Sequence, residues 1–254
     1  MKKPPPAFKT EIDLCAAFIA AVPKEWTAYA ETSGWDILLV RSDGCQIGVE
    51  AKLKLNATVL VQAAEDRWST DREGPDYRAV LVPQFEANEL AALAPHCAIT
   101  VIRFRGASPP HVRWTQFDPG LPDEKQSYSA EQWHELLPAR RYKLPEYIPD
   151  VAAGASAPLQ LTHWKISALR IAALLHTTGF LTRDDFKRQH IDIRRWISGG
   201  WLKPENGAFV AGSYYPRFEK QHPVVWEQIL ADPLKWQRPA GTMIQKPLFM
   251  APQQ

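Results

Sequence analysis

Residues 45–53 alternate between apolar and polar side chains, and this pattern restricts what the segment can form. The apolar set is Cys45, Ile47, Val49, Ala51 and Leu53. The polar set is Gln46, Glu50 and Lys52. Because successive side chains of a β-strand point to opposite faces, the pattern predicts a strand with one buried face. It also predicts that Glu50 and Lys52 lie side by side on the other face.

Helical and strand patterns alternate around this segment. Apolar residues at helical spacing predict helices over residues 11–22, 57–66 and 86–93. Apolar, β-branched and aromatic runs predict strands over residues 26–31, 35–40, 77–82 and 98–104, with an edge strand over 111–117. Asn56 is predicted to cap the second helix. The order α-β-β-β-α-β-α-β predicts an α/β fold with a mixed sheet between flanking helices.

The length and composition indicate two globular domains. The chain has 254 residues, of which 45% are hydrophobic and 23% charged; this length exceeds that of most single domains. Prolines and small residues dominate residues 137–160, which are therefore predicted to be a linker. The predicted division is a first domain over 8–136, a second over 161–232, and an irregular tail over 233–254.

Charge and cysteine usage bear on partners and compartment. Residues 160–220 contain ten Lys or Arg against five Asp or Glu, which favours a nucleic-acid-facing module there. The three cysteines are widely spaced, which predicts neither a disulfide framework nor a zinc site. The sequence has no apolar run of about 20 residues and no apolar signal segment, so we expect a cytoplasmic protein that does not enter membranes.

Asp36 lies on the strand that precedes the Glu50–Lys52 strand. An antiparallel pairing across the turn at residues 42–44 is expected to bring Asp36 towards Lys52. Hydrolysis of a phosphodiester needs a divalent cation, an activated water and positive charge near the developing phosphorane. Carboxylates supply the hard oxygen ligands that Mg²⁺ prefers, so the three side chains form a candidate site for this chemistry.

This pattern resembles the motif of the PD-(D/E)xK nuclease superfamily. The matching residues are Asp36 and, after a hairpin, Glu50-Ala51-Lys52 within this order of elements. That superfamily has the restriction-endonuclease-like fold, with an αβββαβ core. The resemblance implies that Asp36, Glu50 and the main-chain carbonyl of Ala51 bind Mg²⁺ or Mn²⁺. It also implies that Lys52 positions or deprotonates the attacking water.

Three further residues are assigned through the same resemblance, which covers residues 11–82. Gln62, on the helix after the motif, matches a glutamine that supports the active site or the DNA backbone in several branches. Glu31 or Glu11 matches an additional acidic residue that some members use. One departure is that Trp35 precedes Asp36, where the family motif has a proline.

The second domain reads as three helices followed by a hairpin. Helical patterns cover residues 162–175, 183–189 and 192–197, with Thr182 and Asp192 as caps, and strands are predicted over 201–203 and 208–210 around the turn Asn206-Gly207. This order resembles a winged helix-turn-helix domain, whose third helix would enter the major groove. Trp196, Trp201 and Phe209 are expected to be core residues. The candidate DNA contacts are Lys187, Arg188, Arg194, Arg195 and Lys203.

Several alternatives stay open at this point. Glu50 and Lys52 could form a solvated strand face with an ion pair to Asp36, a kind of contact that contributes less than about 1 kcal/mol. The charged residues 66–76 are interpreted as a solvated loop, and the alternative is that Arg67 and Arg72 follow a nucleic-acid backbone.

The leading hypothesis is a Mg²⁺- or Mn²⁺-dependent DNA endonuclease whose partners are DNA, a protein bound by the winged-helix domain, or a second copy in a homodimer. The alternatives are a non-cleaving DNA-binding regulator and an inhibitor or adaptor of another nucleic-acid enzyme.

Overall fold

A computed structural model describes residues 8–65, 71–86, 88–106, 116–122, 132–155 and 161–239 of the chain. The chain divides into two units, Met1–Gln160 and Leu161–Gln254. Each unit has its own sheet, so the two are described separately below.

The first unit is built on a six-stranded sheet in the order β1-β2-β3-β4-β5-β6. The strands are β1 (Trp26–Thr32), β2 (Trp35–Arg41), β3 (Gln46–Ala51), β4 (Tyr77–Pro83), β5 (Thr100–Phe104) and β6 (Phe117–Asp118). β2 is antiparallel to β1 and β3, whereas β3, β4 and β5 are parallel and β6 is antiparallel to β5. The carboxyl ends of β1 and β3 therefore lie at the same edge of the sheet as the start of β2. The predicted edge strand over 111–117 falls mostly outside the described residues.

Three helices accompany this sheet. They are α1 (Glu11–Ala21), α2 (Ala57–Ala64) and α3 (Leu90–Leu93), and a 3-10 turn follows α3 at Ala94–Cys97. The predicted cap of α2 is confirmed, because the Val59 N–H donates to Asn56 Oδ1 at 2.9 Å. The predicted start of α3 at residue 86 is wrong. The side chain of Asn88 accepts the Leu90 N–H at 3.0 Å and so begins the helix later.

The helices α1 and α2 cover opposite faces of the sheet. Leu14, Cys15 and Phe18 of α1 pack in one apolar cluster with Ile47, Val49 and Ala51, as the alternation in β3 predicted. Val59, Leu60 and Ala63 of α2 pack in a second cluster with residues on the other face. The α/β class is thus confirmed, as three layers. The specific restriction-endonuclease-like core stays a prediction.

Residues 137–155 pack on the first unit and do not form the predicted linker. Arg141 makes an ion pair with Asp76 at 2.8 Å. Gln46 and Tyr142 exchange two hydrogen bonds of 2.9 and 3.0 Å between side chain and main chain. Ala153 is also buried in the α1 cluster. A segment without helix or strand is therefore held by side chains that satisfy its backbone, which composition alone does not reveal.

Asp76 is a second departure from the expectations. Asp76 is only 3% exposed. Its carboxylate accepts the Gln46 N–H at 2.7 Å in addition to the Arg141 contact. The interpretation of residues 66–76 as a solvated loop is therefore wrong at Asp76, because an ion pair and a main-chain donor compensate its burial. Residues 66–70, including Arg67, lie outside the described residues.

The described part of the second unit contains five α-helices and a hairpin. These are α4 (His163–Thr178), α5 (Arg183–Arg188), α6 (Arg194–Ser198), β7 (Leu202–Glu205), β8 (Ala208–Ala211), α7 (Phe218–Gln221) and α8 (Pro223–Leu230). Asn206 and Gly207 both have positive φ and close the β7–β8 hairpin, as predicted. Leu181 pairs with Phe209 through two main-chain hydrogen bonds and so adds a third short segment to the hairpin.

Aromatic residues fill the centre of the second unit. Trp196 is fully buried and stacks on Phe218, and Phe209 is also buried, which confirms their predicted core positions. Trp201, the third predicted core residue, meets Trp196 edge-on but is only half-buried. The described part of the predicted irregular tail, residues 233–239, also packs here. Trp236 is buried and donates its indole N–H to the carbonyl of Ile229 at 2.7 Å. The tail prediction is therefore wrong for these residues.

Candidate active site

Asp36 and Glu50 lie next to each other at one edge of the sheet. Ile37 on β2 pairs with Val49 on β3 at this end of the two strands, so one further residue brings Asp36 opposite Glu50. Asp36 Oδ2 accepts the Ala51 N–H at 2.7 Å. The register therefore places Asp36 beside Glu50 and Ala51. Lys52 does not share this hydrogen bond, but it lies near enough to interact with the charge of Asp36.

Lys52 is held by an acidic residue from another element. Its main-chain N–H donates to the carbonyl of Leu81 at 3.0 Å, just after the end of β3. Its Nζ donates to Glu11 Oε2 at 2.9 Å, and both side chains are 30% exposed. Glu11 lies in the first turn of α1. Of the two additional acids considered from the sequence, Glu11 is thus the one that contacts the lysine.

Burial acts to lower the pKa of Lys52, but its hydrogen bond to Glu11 and the charges of Glu11, Asp36 and Glu50 raise that pKa above its ordinary value. Lys52 is therefore an ammonium at neutral pH. An ammonium donates hydrogen bonds and stabilises negative charge, but it cannot accept a proton from water.

Glu31 is the other additional acid, and it lies across from Asp36 on β1. The pairs Ala30–Ile37 and Thr32–Trp35 flank the two residues. The Glu31 carboxylate accepts the main-chain N–H groups of Gly154 and Ala155 at 2.7 and 3.2 Å. Burial and the charge of Asp36 raise its pKa, while these two hydrogen bonds oppose the rise. The contribution of residues 154–155 was missed from the sequence, since no local pattern connects them to β1.

The charges of the two central carboxylates are only partly compensated. Burial raises the pKa of Glu50 to about 8, with a further contribution from Asp36 that Lys52 only partly offsets. Burial also raises the pKa of Asp36, against the Ala51 N–H and Lys52. Glu50 is consequently protonated near neutral pH when no cation is present. Raised carboxyl pKa values in a crowded site are typical of functional positions.

This donor set fits a divalent cation, which would take the place of the Glu50 proton. Mg²⁺ commonly keeps several waters and binds through one or two carboxylates together with substrate phosphates. Within the described residues, no group of three His, Cys, Asp or Glu side chains forms a fuller metal site. Asp36 and Glu50 can therefore provide two ligands, and the role of the Ala51 carbonyl stays a prediction.

A cavity of about 670 Å³ opens beside Glu50. Gln62 of α2 lines the same cavity, so the structure brings these two predicted residues to one space. The cavity is lined by Ser33, Gly34, Trp35, Glu50, Gln62, Glu65, Asp71, Arg72, Glu73, Arg140 and Tyr142. Of the lining residues in 71–73 and 140–142, only Arg72 is a candidate from the sequence, because these segments follow neither helical nor strand periodicity.

The five basic candidates of the second unit lie in different environments. Lys187, Arg194 and Lys203 are exposed, and each makes an ion pair with an acidic residue close in sequence. Arg195 is exposed and lies over the ring of Trp164, 5.8 Å from its centroid. Arg188 instead makes an ion pair with the buried carboxylate of Asp185. Arg188 therefore has a structural role, which its sequence position did not predict.

Among the described helices, none is long and apolar enough to cross a membrane. Comparisons with protein-family models, with curated proteins and with solved structures found no match for this chain.

Proposed function

We propose that this protein is a Mg²⁺- or Mn²⁺-dependent nuclease that hydrolyses DNA phosphodiester bonds at the Asp36–Glu50 edge of the sheet. One observation carries the proposal: Asp36 and Glu50, two half-buried carboxylates on neighbouring strands, have raised pKa values that the nearby Lys52 ammonium only partly offsets. A purely structural ion-pair face would have its charges balanced. The resemblance of the motif and of the order of elements to the PD-(D/E)xK superfamily supports the same assignment.

The roles of the side chains follow from their contacts. Asp36 and Glu50 would hold the cation. A bound cation of this kind polarises a phosphoryl oxygen and lowers the pKa of its water. Lys52, kept protonated, would donate to the attacking water or to the developing negative charge. Glu11 is a positioning residue, because its hydrogen bond fixes Lys52 Nζ at the site. Of the two roles implied for Lys52, positioning the water is thus favoured over deprotonating it.

Gln62 and the second unit complete the proposal. Gln62 lines the cavity that reaches Glu50, where its amide can bind a phosphate or a water. The winged-helix-like unit would bind DNA through its exposed cations Lys187, Arg194, Arg195 and Lys203, or would bind a protein partner. A cytoplasmic location belongs to the same proposal.

The decisive experiment is a cleavage panel of linear, circular, branched and single-stranded DNA, with Mg²⁺ or Mn²⁺ against EDTA. We expect metal-dependent cleavage of at least one form. Lys52→Ala should reduce the cleavage rate by about a thousandfold, because one electrostatic donor to the developing charge contributes on the order of 10²–10³. Its thermal unfolding should change little, since Lys52 makes a partly exposed ion pair.

Lys54→Ala is the matched control, because Lys54 is two residues further on and exposed. It should cleave within about twofold of the wild-type rate, as surface substitutions rarely alter function or folding. Equal cleavage by Lys52→Ala and the wild type would overturn the mechanism. DNA binding that survives EDTA, without cleavage of any form, would favour the non-cleaving regulator.

A further inference from the structure

The carboxylate cluster is covered on one side by a main-chain segment. The N–H groups of Gly154 and Ala155 bind Glu31. Gly154 has a φ of +76°, and a Cβ atom there would lie 3.1 Å from Cys15 Sγ and 3.2 Å from the main-chain carbon of Glu11. The segment thus packs closely against α1, and a substrate cannot reach the carboxylates from this side without displacing it.

The cavity on the α2 side leaves the other route to Glu50. Its lining contains four carboxylates, Glu50, Glu65, Asp71 and Glu73, and two cations, Arg72 and Arg140. Such an excess of negative charge repels a phosphate wherever no cation is adjacent. The two arginines are the cationic groups of the described lining, so a phosphate is attracted most strongly beside them.

The loop that carries Arg140 is fixed by contacts that do not use its side chain. The Gly74 N–H donates to the Arg140 carbonyl at 2.9 Å. The following residues are held by the Arg141–Asp76 ion pair and by the exchange of hydrogen bonds between Tyr142 and Gln46. Arg140 itself is exposed. A guanidinium on an anchored backbone is suited to bind phosphate, because its forked donors match phosphate oxygens.

We infer that Arg72 and Arg140 bind phosphates of a nucleic-acid strand that runs through this cavity to Glu50. The inference rests on the proposed nuclease function and adds the path of the substrate. Arg72 and Arg140 are positioning residues: they hold phosphates near the bond that is cut and do not take part in the chemistry. From the sequence, Arg72 is a nucleic-acid contact only as an alternative, and no role is predicted for Arg140.

The test uses the full-length protein with Arg72→Gln, Arg140→Gln and the double variant. Arg103→Gln is the matched control. Arg103 of β5 makes a partly exposed ion pair with Asp118 of β6, and these two strands lie at the end of the sheet opposite to β1 and β2. Binding of a fluorescent oligonucleotide is measured by anisotropy with Ca²⁺ present, across a salt series. Cleavage kinetics are measured separately with Mg²⁺.

Each arginine variant should raise both Kd and KM by about five- to tenfold, with kcat within about twofold, because a phosphate contact positions the strand without entering the reaction. The slope of log Kd against log salt should fall by about one for each arginine removed. Arg103→Gln should leave Kd and the slope unchanged. Thermal unfolding of all variants should match the wild type, since the anchoring contacts are retained.

The outcomes separate the two claims. If the wild type cleaves and both arginine variants keep its Kd, KM and salt slope, the inferred path is wrong and the proposed function stands. If the wild type cleaves no DNA form, the proposed function is wrong. The Kd values then decide the inference: weaker binding with a smaller slope supports a phosphate-binding cavity, and unchanged binding rejects it.

Discussion

Two carboxylate centres in this molecule, one buried and one half-buried, have opposite electrostatics. In the second unit, Asp185 has a side chain only 1% exposed. Its oxygens accept from Arg238 at 2.8 and 3.1 Å and from the Thr182 N–H at 2.7 Å, and Arg188 makes a further ion pair with it. Burial alone would raise the pKa of Asp185, but the hydrogen bonds and charge of Arg238, together with Thr182, hold it below its ordinary range.

In the first unit, burial dominates at Asp36 and Glu50. Lys52, which interacts with both carboxylates, is hydrogen-bonded to Glu11, and the pKa of Glu50 is raised to about 8. Asp185 is thus neutralised within the fold, whereas Lys52 offsets only part of the effect of burial at Asp36 and Glu50. Functional sites commonly lower the stability of a fold in this way.

The largest expected effect on stability is at Asp185. Asp185→Asn should lower the free energy of unfolding by about 3 kcal/mol, because removing one partner of a buried ion pair leaves the arginines without a counter-charge. Urea denaturation at pH 7 measures the change. Asp184→Asn is the control: Asp184 is 80% exposed in its pair with Lys187, and its loss should cost less than about 0.5 kcal/mol. Equal effects at the two positions would remove the basis of the comparison.

The pH dependence follows from the depressed pKa of Asp185. The folded state holds the carboxylate ionised at pH values where the unfolded chain binds a proton. The stabilisation is therefore complete above the ordinary aspartate pKa of about 3.9 and is lost as pH falls through the lower folded pKa.

Glu50→Gln should raise the free energy of unfolding at pH 8, by less than Asp185→Asn lowers it. Folded Glu50 keeps a proton that the unfolded chain releases above about pH 4.3, so wild-type stability falls as pH rises towards 8. Glutamine does not titrate, so the variant should be more stable than the wild type at pH 8 by about 1–2 kcal/mol, allowing for solvent screening. Urea denaturation at pH 5 and 8 tests this, with exposed Glu25→Gln as the control. A destabilised Glu50→Gln would identify the solvated ion-pair face considered above.

The smallest expected effect is the linkage between metal binding and pH. Because a cation must displace the Glu50 proton, Mn²⁺ affinity should rise by up to about tenfold per pH unit between pH 6 and 8 and then level off. Titration calorimetry at several pH values, in buffers of different ionisation enthalpy, reports both the affinity and the protons released. Glu50→Gln should bind Mn²⁺ more weakly and without this slope. A wild-type affinity independent of pH would show that Glu50 is not a ligand.

Local patterns were enough to predict most of the elements. Alternation in residues 45–53 placed Ile47, Val49 and Ala51 in the core and Glu50 at the site, because strand geometry depends on the segment itself. Caps such as Asn56 and the Asn206-Gly207 turn were equally local. These signals depend on residues a few positions apart, so neighbouring sequence carries them in full.

The contacts that complete the site depend on the path of the chain. The sequence alone determined that Asp36, Glu50 and Lys52 occupy consecutive strands or strand ends. Only the tertiary structure decided that Lys52 meets Glu11, 41 residues away, and that Gly154 binds Glu31 across 123 residues. Strand register and loop anchoring set such distances, and a shift of one residue turns a side chain to the other face. For the same reason the raised pKa of Glu50 is a property of the folded protein and not of its motif.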